Sequence, residues 1–119
     1  MINRFDRTPA LKQTITATVN PANGLVTSTT VTNTNHDMFC PGISMLGNGD
    51  IVVTGGDVAE KTSIYSAKED AWVPGPDMNI PRGYQSSVTL SNGEVCSSHL
   101  CPPMEAFSWL PVLCKSFPW

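Results

Sequence analysis

Between Asn35 and Val95 the chain carries one pattern written twice, the copies offset by forty-four residues. Asp37 to Gly56 reads DMFCPGISMLGNGDIVVTGG, and Pro81 to Val95 reads PRGYQSSVTLSNGEV. Superposing Asn48-Gly49-Asp50 on Asn92-Gly93-Glu94 sets Ile43 to Met45 on Ser87 to Thr89 and Cys40 on Tyr84. A thiol and a phenol therefore hold the same address in consecutive units.

A fixed period of this size marks propellers and other arrays, in which each unit buries its faces against its neighbours. A glycine pair after an apolar strand, followed by a Tyr and then a Trp, is the kelch variety, and Gly55-Gly56, Tyr65 and Trp72 supply those marks. The fold class expected is all-β: a fragment of a kelch-type β-propeller, about one and a half blades, where stacking normally needs at least ~3 repeats. Ten prolines, nine glycines and Thr/Val/Ser runs favour short strands and turns, and no amphipathic helix stands out.

The chain divides accordingly. Residues 1–34 hold two Thr/Val-rich runs, Lys12 to Val19 and Leu25 to Val31, joined by Asn20-Pro21-Ala22-Asn23-Gly24. That linker is hairpin chemistry, and it predicts the outer strands of a preceding blade. Residues 35–80 form one blade: inner strand Phe39 to Met45, then strands Asp50 to Thr54, Thr62 to Tyr65 and Ala71 to Pro74. Residues 81–95 open the next, with an inner strand from Gly83 to Leu90 and a second strand from Glu94. The period then asks for a glycine pair at 99 and 100, where His99 and Leu100 stand. Residues 96–119 hold four prolines and three cysteines without strand alternation. They read as an aberrant tail outside the propeller, from a misjoined exon, a retained intron or a frameshift, or else as a divergent terminus packed by its Trp and Phe residues.

Composition removes several functions. The net charge of -3 shows no basic stripe for nucleic acid. No apolar run approaches the ~20 residues of a membrane span, and the first residues, MINRFDRTPALKQ, lack a signal peptide's apolar region. No protein partner is inferred. Cys96, Cys101 and Cys114 crowd the last quarter while Cys40 stands alone in the repeat, and the count leaves their pairing and the redox compartment open.

Equivalent positions of neighbouring inner strands lie close together around a propeller axis, so Cys40 and Tyr84 are expected side by side at one mouth of the channel. Taken by themselves they read as a small buried hydrophobe and an amphipathic core residue. Tyr65 occupies the ordinary core position of a kelch unit. His36 lies in the polar crossing before the inner strand, where a solvated or capping role is expected rather than metal ligation. His99, between Cys96 and Cys101, matches no standard zinc spacing.

The local words carry more. HDMFCPGISM from His36 to Met45, IVVTGG from Ile51 to Gly56, and PGPDM followed by RGYQSS, within Pro74 to Ser87, closely resemble the galactose oxidase family of fungal copper radical oxidases, over about Thr14 to Val95. The resemblance implies a thioether between Cys40 and Tyr84, with Tyr84 both copper ligand and radical. It implies a primary alcohol or carbohydrate substrate, dioxygen as oxidant, aldehyde and hydrogen peroxide as products, and an extracellular setting. The family's other copper ligands, one more tyrosine and two histidines, come from later blades. Its indole over the thioether falls where Pro102 and Pro103 stand, and Trp109 does not take that place. The chain is therefore expected to be inactive alone. Two other readings stay open: a kelch module holding a protein partner through its loops, and a glyoxal-oxidase-like relative acting on small aldehydes.

Overall fold

The structure, a computed structural model, describes residues 13–99 and the backbone of 113–116, with side chains described through Ser97. Every regular element among them is a strand: β1 (Thr14–Val19), β2 (Val26–Val31), β3 (Gly42–Met45), β4 (Ile51–Thr54), β5 (Thr62–Ser66), β6 (Ala71–Pro74), β7 (Gln85–Thr89), β8 (Glu94–His99) and β9 (Leu113–Ser116). β1 and β2 pair as an antiparallel hairpin, β3 to β6 form a four-stranded antiparallel sheet in chain order, and β7 to β9 form a three-stranded one.

The two copies of the sequence pattern build the same turn. Leu46 N–H donates to Asp50 O at 2.8 Å and Gly49 N–H to Leu46 O at 3.0 Å; Leu90 N–H donates to Glu94 O at 2.8 Å and Gly93 N–H to Leu90 O at 2.9 Å. In each, the asparagine side chain accepts from the backbone N–H two residues on, at 3.0 Å from Asp50 and 3.1 Å from Glu94, and donates to that residue's carboxylate. Gly49 and Gly93 take φ of +91° and +86°, open to glycine and strained for other residues.

Cross-strand register sorts the four-stranded sheet into two faces, because side chains alternate along a strand. Ser44, Val52, Ile64 and Val73 share one face. It packs toward the second sheet, where Leu46, Val52 and Val95 form a buried cluster with Ile64 against it. Met45, Ile51, Tyr65 and Trp72 share the other. There Val31, Met38 and Val53 form a second buried cluster, with Ile51 and Trp72 packed on it, seating the hairpin. β3 lies beside β7, and the two are joined by Ser44 Oγ to Ser87 Oγ at 2.7 Å and by Thr89 Oγ1 donating to Met45 O at 2.7 Å. Inner strands of successive units side by side are the arrangement of propeller blades.

Two expectations are corrected. The strand pattern does not stop at Val95: β8 runs on through Cys96, Ser97 and Ser98 to His99, and β9, from the C-terminal residues, pairs with it. Ser, Val and Cys in this stretch are compatible with a ladder, and the prolines read as breakers, Pro102, Pro103 and Pro111, lie outside the described residues, as do Cys101 and Trp109. The inner strands also begin later than expected. Phe39–Cys40 and Gly83–Tyr84 are bends, and pairing starts only at Gly42 and Gln85.

Candidate functional site

The two bends are built from the same backbone conformation, forty-four residues apart. Cys40 has φ of +54° and Tyr84 of +53°. Asn35 and Asp70, the other non-glycine residues in this region among those described, are types that tolerate it, whereas Cys and Tyr are not. Each such residue costs about 1–3 kcal/mol and persists only where the surroundings over-determine it. They meet directly: Tyr84 N–H donates to Cys40 O at 3.0 Å. Cys40 is a free thiol, half-buried, while the Tyr84 side chain is 64% exposed. The thiol and phenol residues are thus neighbours, as their shared address predicts, but on bends ahead of adjacent inner strands rather than within them.

What holds the bends together is the glycine pair at the end of β4. Gly56 N–H donates to Arg82 O at 3.0 Å, and a Cβ on Gly55 would stand 2.1 Å from that same oxygen. A Cβ on Gly56 would stand 2.6 Å from Phe39 O. The pair, at φ of +63° and +113°, therefore lets the backbones of both words close onto one strand end. The glycine pair, read from the sequence as a repeat marker, is also the floor on which Cys40 and Tyr84 are brought together.

His36 departs from the solvated role expected of it. It is fully buried, with Nε2–H donating to Gly55 O at 2.8 Å and Nδ1 accepting from Ser63 Oγ at 2.8 Å. A carbonyl only accepts, so Nε2 carries a proton, and burial favours the neutral ring in which Nδ1 accepts from Ser63 Oγ. Desolvation holds its pKa below the ordinary histidine value, partly offset by the Gly55 carbonyl. Both ring nitrogens are engaged, and His36 serves to support the glycine pair.

Tyr65, expected at a core position, is half-buried near the end of β5 rather than inside either buried cluster. Its ring meets Trp72 with centroids 5.5 Å apart at 52°, and its hydroxyl donates to Asp70, which raises the phenol pKa. His99 lies in the β8 backbone, and its side chain is outside the described residues.

Sequence reasoning passed over Gln85. It is buried, and its amide donates to Thr54 O and to Thr54 Oγ1, both at 2.6 Å. The available signal was Gly42: a Cβ there would stand 3.0 Å from Gln85 Cγ, so a glycine after Cys40-Pro41 leaves room for the residue after Tyr84.

Fold and paired bends together define a stretch of β-propeller in which two neighbouring units meet at Cys40 and Tyr84. The protein this stretch resembles is galactose oxidase: over 82 residues the chain is 61% identical to the galactose oxidase of Gibberella zeae, a match covering 69% of the chain and 12% of that protein. A solved structure described as a novel fungal alcohol oxidase with catalytic diversity among the AA5 family, in complex with copper, superposes with a TM-score of 0.67 at 43% identity, covering 73% of this chain and 19% of that one. No family model matches.

Proposed function

We propose that this chain is a portion of a galactose-oxidase-like copper radical oxidase, and that Cys40 and Tyr84 are its cofactor-forming pair. The whole enzyme would convert a primary alcohol and dioxygen to an aldehyde and hydrogen peroxide. The observation that carries the reading is the hydrogen bond between two bends of one left-handed conformation, at the two positions where the resemblance puts the thioether. Joining Cys40 Sγ to a Tyr84 ring carbon beside the hydroxyl removes two protons and two electrons, which dioxygen can accept as peroxide. The sulfur then donates into the ring and eases its one-electron oxidation. The exposed phenol is open to both metal and substrate. The resemblance also supports kelch-type units and an extracellular setting, and the disulfide at Cys96 agrees with an oxidising compartment.

Copper is not accommodated by the described residues alone. They offer one phenol and one thiol at the site, both nitrogens of His36 are spent internally, and no group of three or more His, Cys, Asp or Glu side chains among them can hold a metal. Cu(II) takes a tetragonal set of nitrogen and oxygen donors, which later blades of a longer protein would complete.

Two measurements test the proposal. The 119-residue chain, given copper and air, should release no peroxide from galactose or another primary alcohol; peroxide that disappears in Tyr84→Phe and Cys40→Gly would overturn the incomplete-site reading. Residues 14–95 exchanged for the matching segment of the Gibberella zeae galactose oxidase should give an active chimaera that loses turnover with either substitution. A chimaera indifferent to Tyr84→Phe would sink the role given to this pair.

A further inference from the structure

We propose that Gln85 is the positioning residue for Tyr84: its amide, lodged in a slot walled by Gly42 and Gly55 and tied to Thr54, fixes the left-handed bend that presents the phenol beside Cys40. The catalytic meaning of that placement rests on the oxidase reading above; the anchoring does not.

Tyr84 makes little claim on its own conformation. With its side chain 64% exposed, its backbone must be set by what flanks it. On the upstream side Arg82 O is held by Gly56 N–H. On the downstream side Gln85 is 6% exposed and its Nε2 reaches Thr54 O and Oγ1, both at 2.6 Å. Those two acceptors match the two hydrogens of the amide nitrogen. The opposite amide orientation would press Oε1 against the Thr54 carbonyl, so the carbonyl alone decides which way the amide faces. Oε1 is left buried without a hydrogen-bond partner, a cost accepted only where the rest of the side chain is firmly held.

The slot is shaped by both words. A Cβ on Gly42 would stand 3.0 Å from Gln85 Cγ and 3.2 Å from Nε2, and one on Gly55 would stand 3.0 Å from Nε2. Gly42 follows Cys40 by two residues and Gln85 follows Tyr84 by one. The cysteine and tyrosine words therefore dock at two points, through Tyr84 N–H to Cys40 O and through Gln85 against Gly42. Two points fix an orientation where one leaves a pivot.

The test is amide hydrogen exchange on the full chain, without copper or substrate. In Gln85→Met, the Tyr84 amide should exchange about tenfold faster or more, while Val52 and Val53 in β4 change by less than about twofold. Gln85→Glu should behave like Gln85→Met, since a carboxylate cannot donate to Thr54 O. Thr54→Val keeps the carbonyl and removes one acceptor, so it should speed Tyr84 exchange by roughly threefold, and Thr54→Ser should restore protection. It also provides the measurement if the Gln85 variants do not fold. Unchanged Tyr84 exchange in these variants would overturn the proposal, as would an equal rise across β4, which would assign Gln85 to general stability. A negative result leaves the Cys40 and Tyr84 chemistry standing, and an inactive chimaera leaves the clamp standing.

Discussion

The four-stranded sheet and the three-stranded one start alike and finish differently. Both open on a left-handed bend, run an inner strand, and reverse through an Asn-Gly turn whose backbone hydrogen bonds match within 0.1 Å. Then the first sheet ends its second strand at Thr54 and folds on Gly55-Gly56, whereas β8 continues to His99 and takes β9 as its neighbour. The difference separates what a repeat needs for its own shape from what it needs for its neighbour. Bend and turn are local and occur in both sheets. The glycine pair serves the junction, since what it accommodates are the backbones of Phe39 in its own unit and of Arg82 in the next.

The sharpest way to break this distinction is to add one carbon at Gly55. Gly55→Ala places a Cβ 2.1 Å from Arg82 O on a residue at φ +63°, with backbone as the obstacle, so nothing flexible can yield. We expect a loss of about 3 kcal/mol or more by urea denaturation, together with loss of Tyr84 amide protection. Gly47→Ala, with no atom within 4 Å of the new Cβ, should change stability by less than about 0.5 kcal/mol. Equal effects would remove the glycine pair from the junction.

A smaller effect tests the packing between the two sheets. Val52 is fully buried in the cluster with Leu46 and Val95. Val52→Ala should cost about 2 kcal/mol, through lost burial and the cavity left behind. If the sheets are units that depend on one another, β4 and β8 amides should lose protection together. Loosening of β4 alone would mean that the second sheet stands by itself.

Much of this comparison was legible in the sequence, and what escaped has a common cause. The forty-four-residue period, the hairpin from Thr14 to Val31, the strand from Ala71 to Pro74 and both Asn-Gly turns follow from local chemistry: alternation, β-branched residues and turn formers. So does the adjacency of the Cys40 and Tyr84 backbones, because equal address in a repeat is a spatial statement. The left-handed bends were not visible, because neither Cys nor Tyr favours that conformation and only contacts distant in sequence impose it. The same holds for His36, a polar residue in a polar crossing, whose burial is made possible by Ser63 and the Gly55 carbonyl, twenty-seven and nineteen residues away. The pairing of β9 was hidden likewise, since a ladder between distant segments leaves little trace in the composition of either.

His36 gives a pH-dependent test of the same junction. Its folded pKa is depressed, so between that value and the unfolded one near 6.5 the unfolded chain binds the extra proton. Stability is then fully present above about pH 6.5 and falls as the pH drops toward the folded pKa, with a slope of at most about 1.4 kcal/mol per pH unit from this residue. Urea midpoints from pH 7.5 to 5 should show the fall, and His36→Gln should flatten it. A slope unaltered by the substitution would mean that the acid sensitivity lies elsewhere.

The smallest expected effect bears on the half of the comparison in which the two sheets agree. Asn48 and Asn92 each accept from the backbone N–H two residues on and donate to that residue's carboxylate, all four contacts lying between 2.9 and 3.1 Å. Both side chains are exposed, so water replaces much of what a substitution removes. Asn48→Ala and Asn92→Ala should each cost about 0.5–1 kcal/mol. Because the turns share backbone hydrogen bonds, the asparagine contacts and solvent exposure, the two losses should agree within about 0.3 kcal/mol, and since Gly47 and Asn92 line one cavity the double variant reads whether the two turns couple. Asp50 complicates the equality in one respect: its Oδ1 also accepts from Ala67 N–H at 2.9 Å, tying the first turn to the β5–β6 connection. If that tie matters, Asn48→Ala will cost more than Asn92→Ala, and Asp50→Asn, which keeps an acceptor for Ala67, will cost less than Asp50→Ala. An excess at Asn92 instead would mean that the Ala67 tie adds nothing to the first turn.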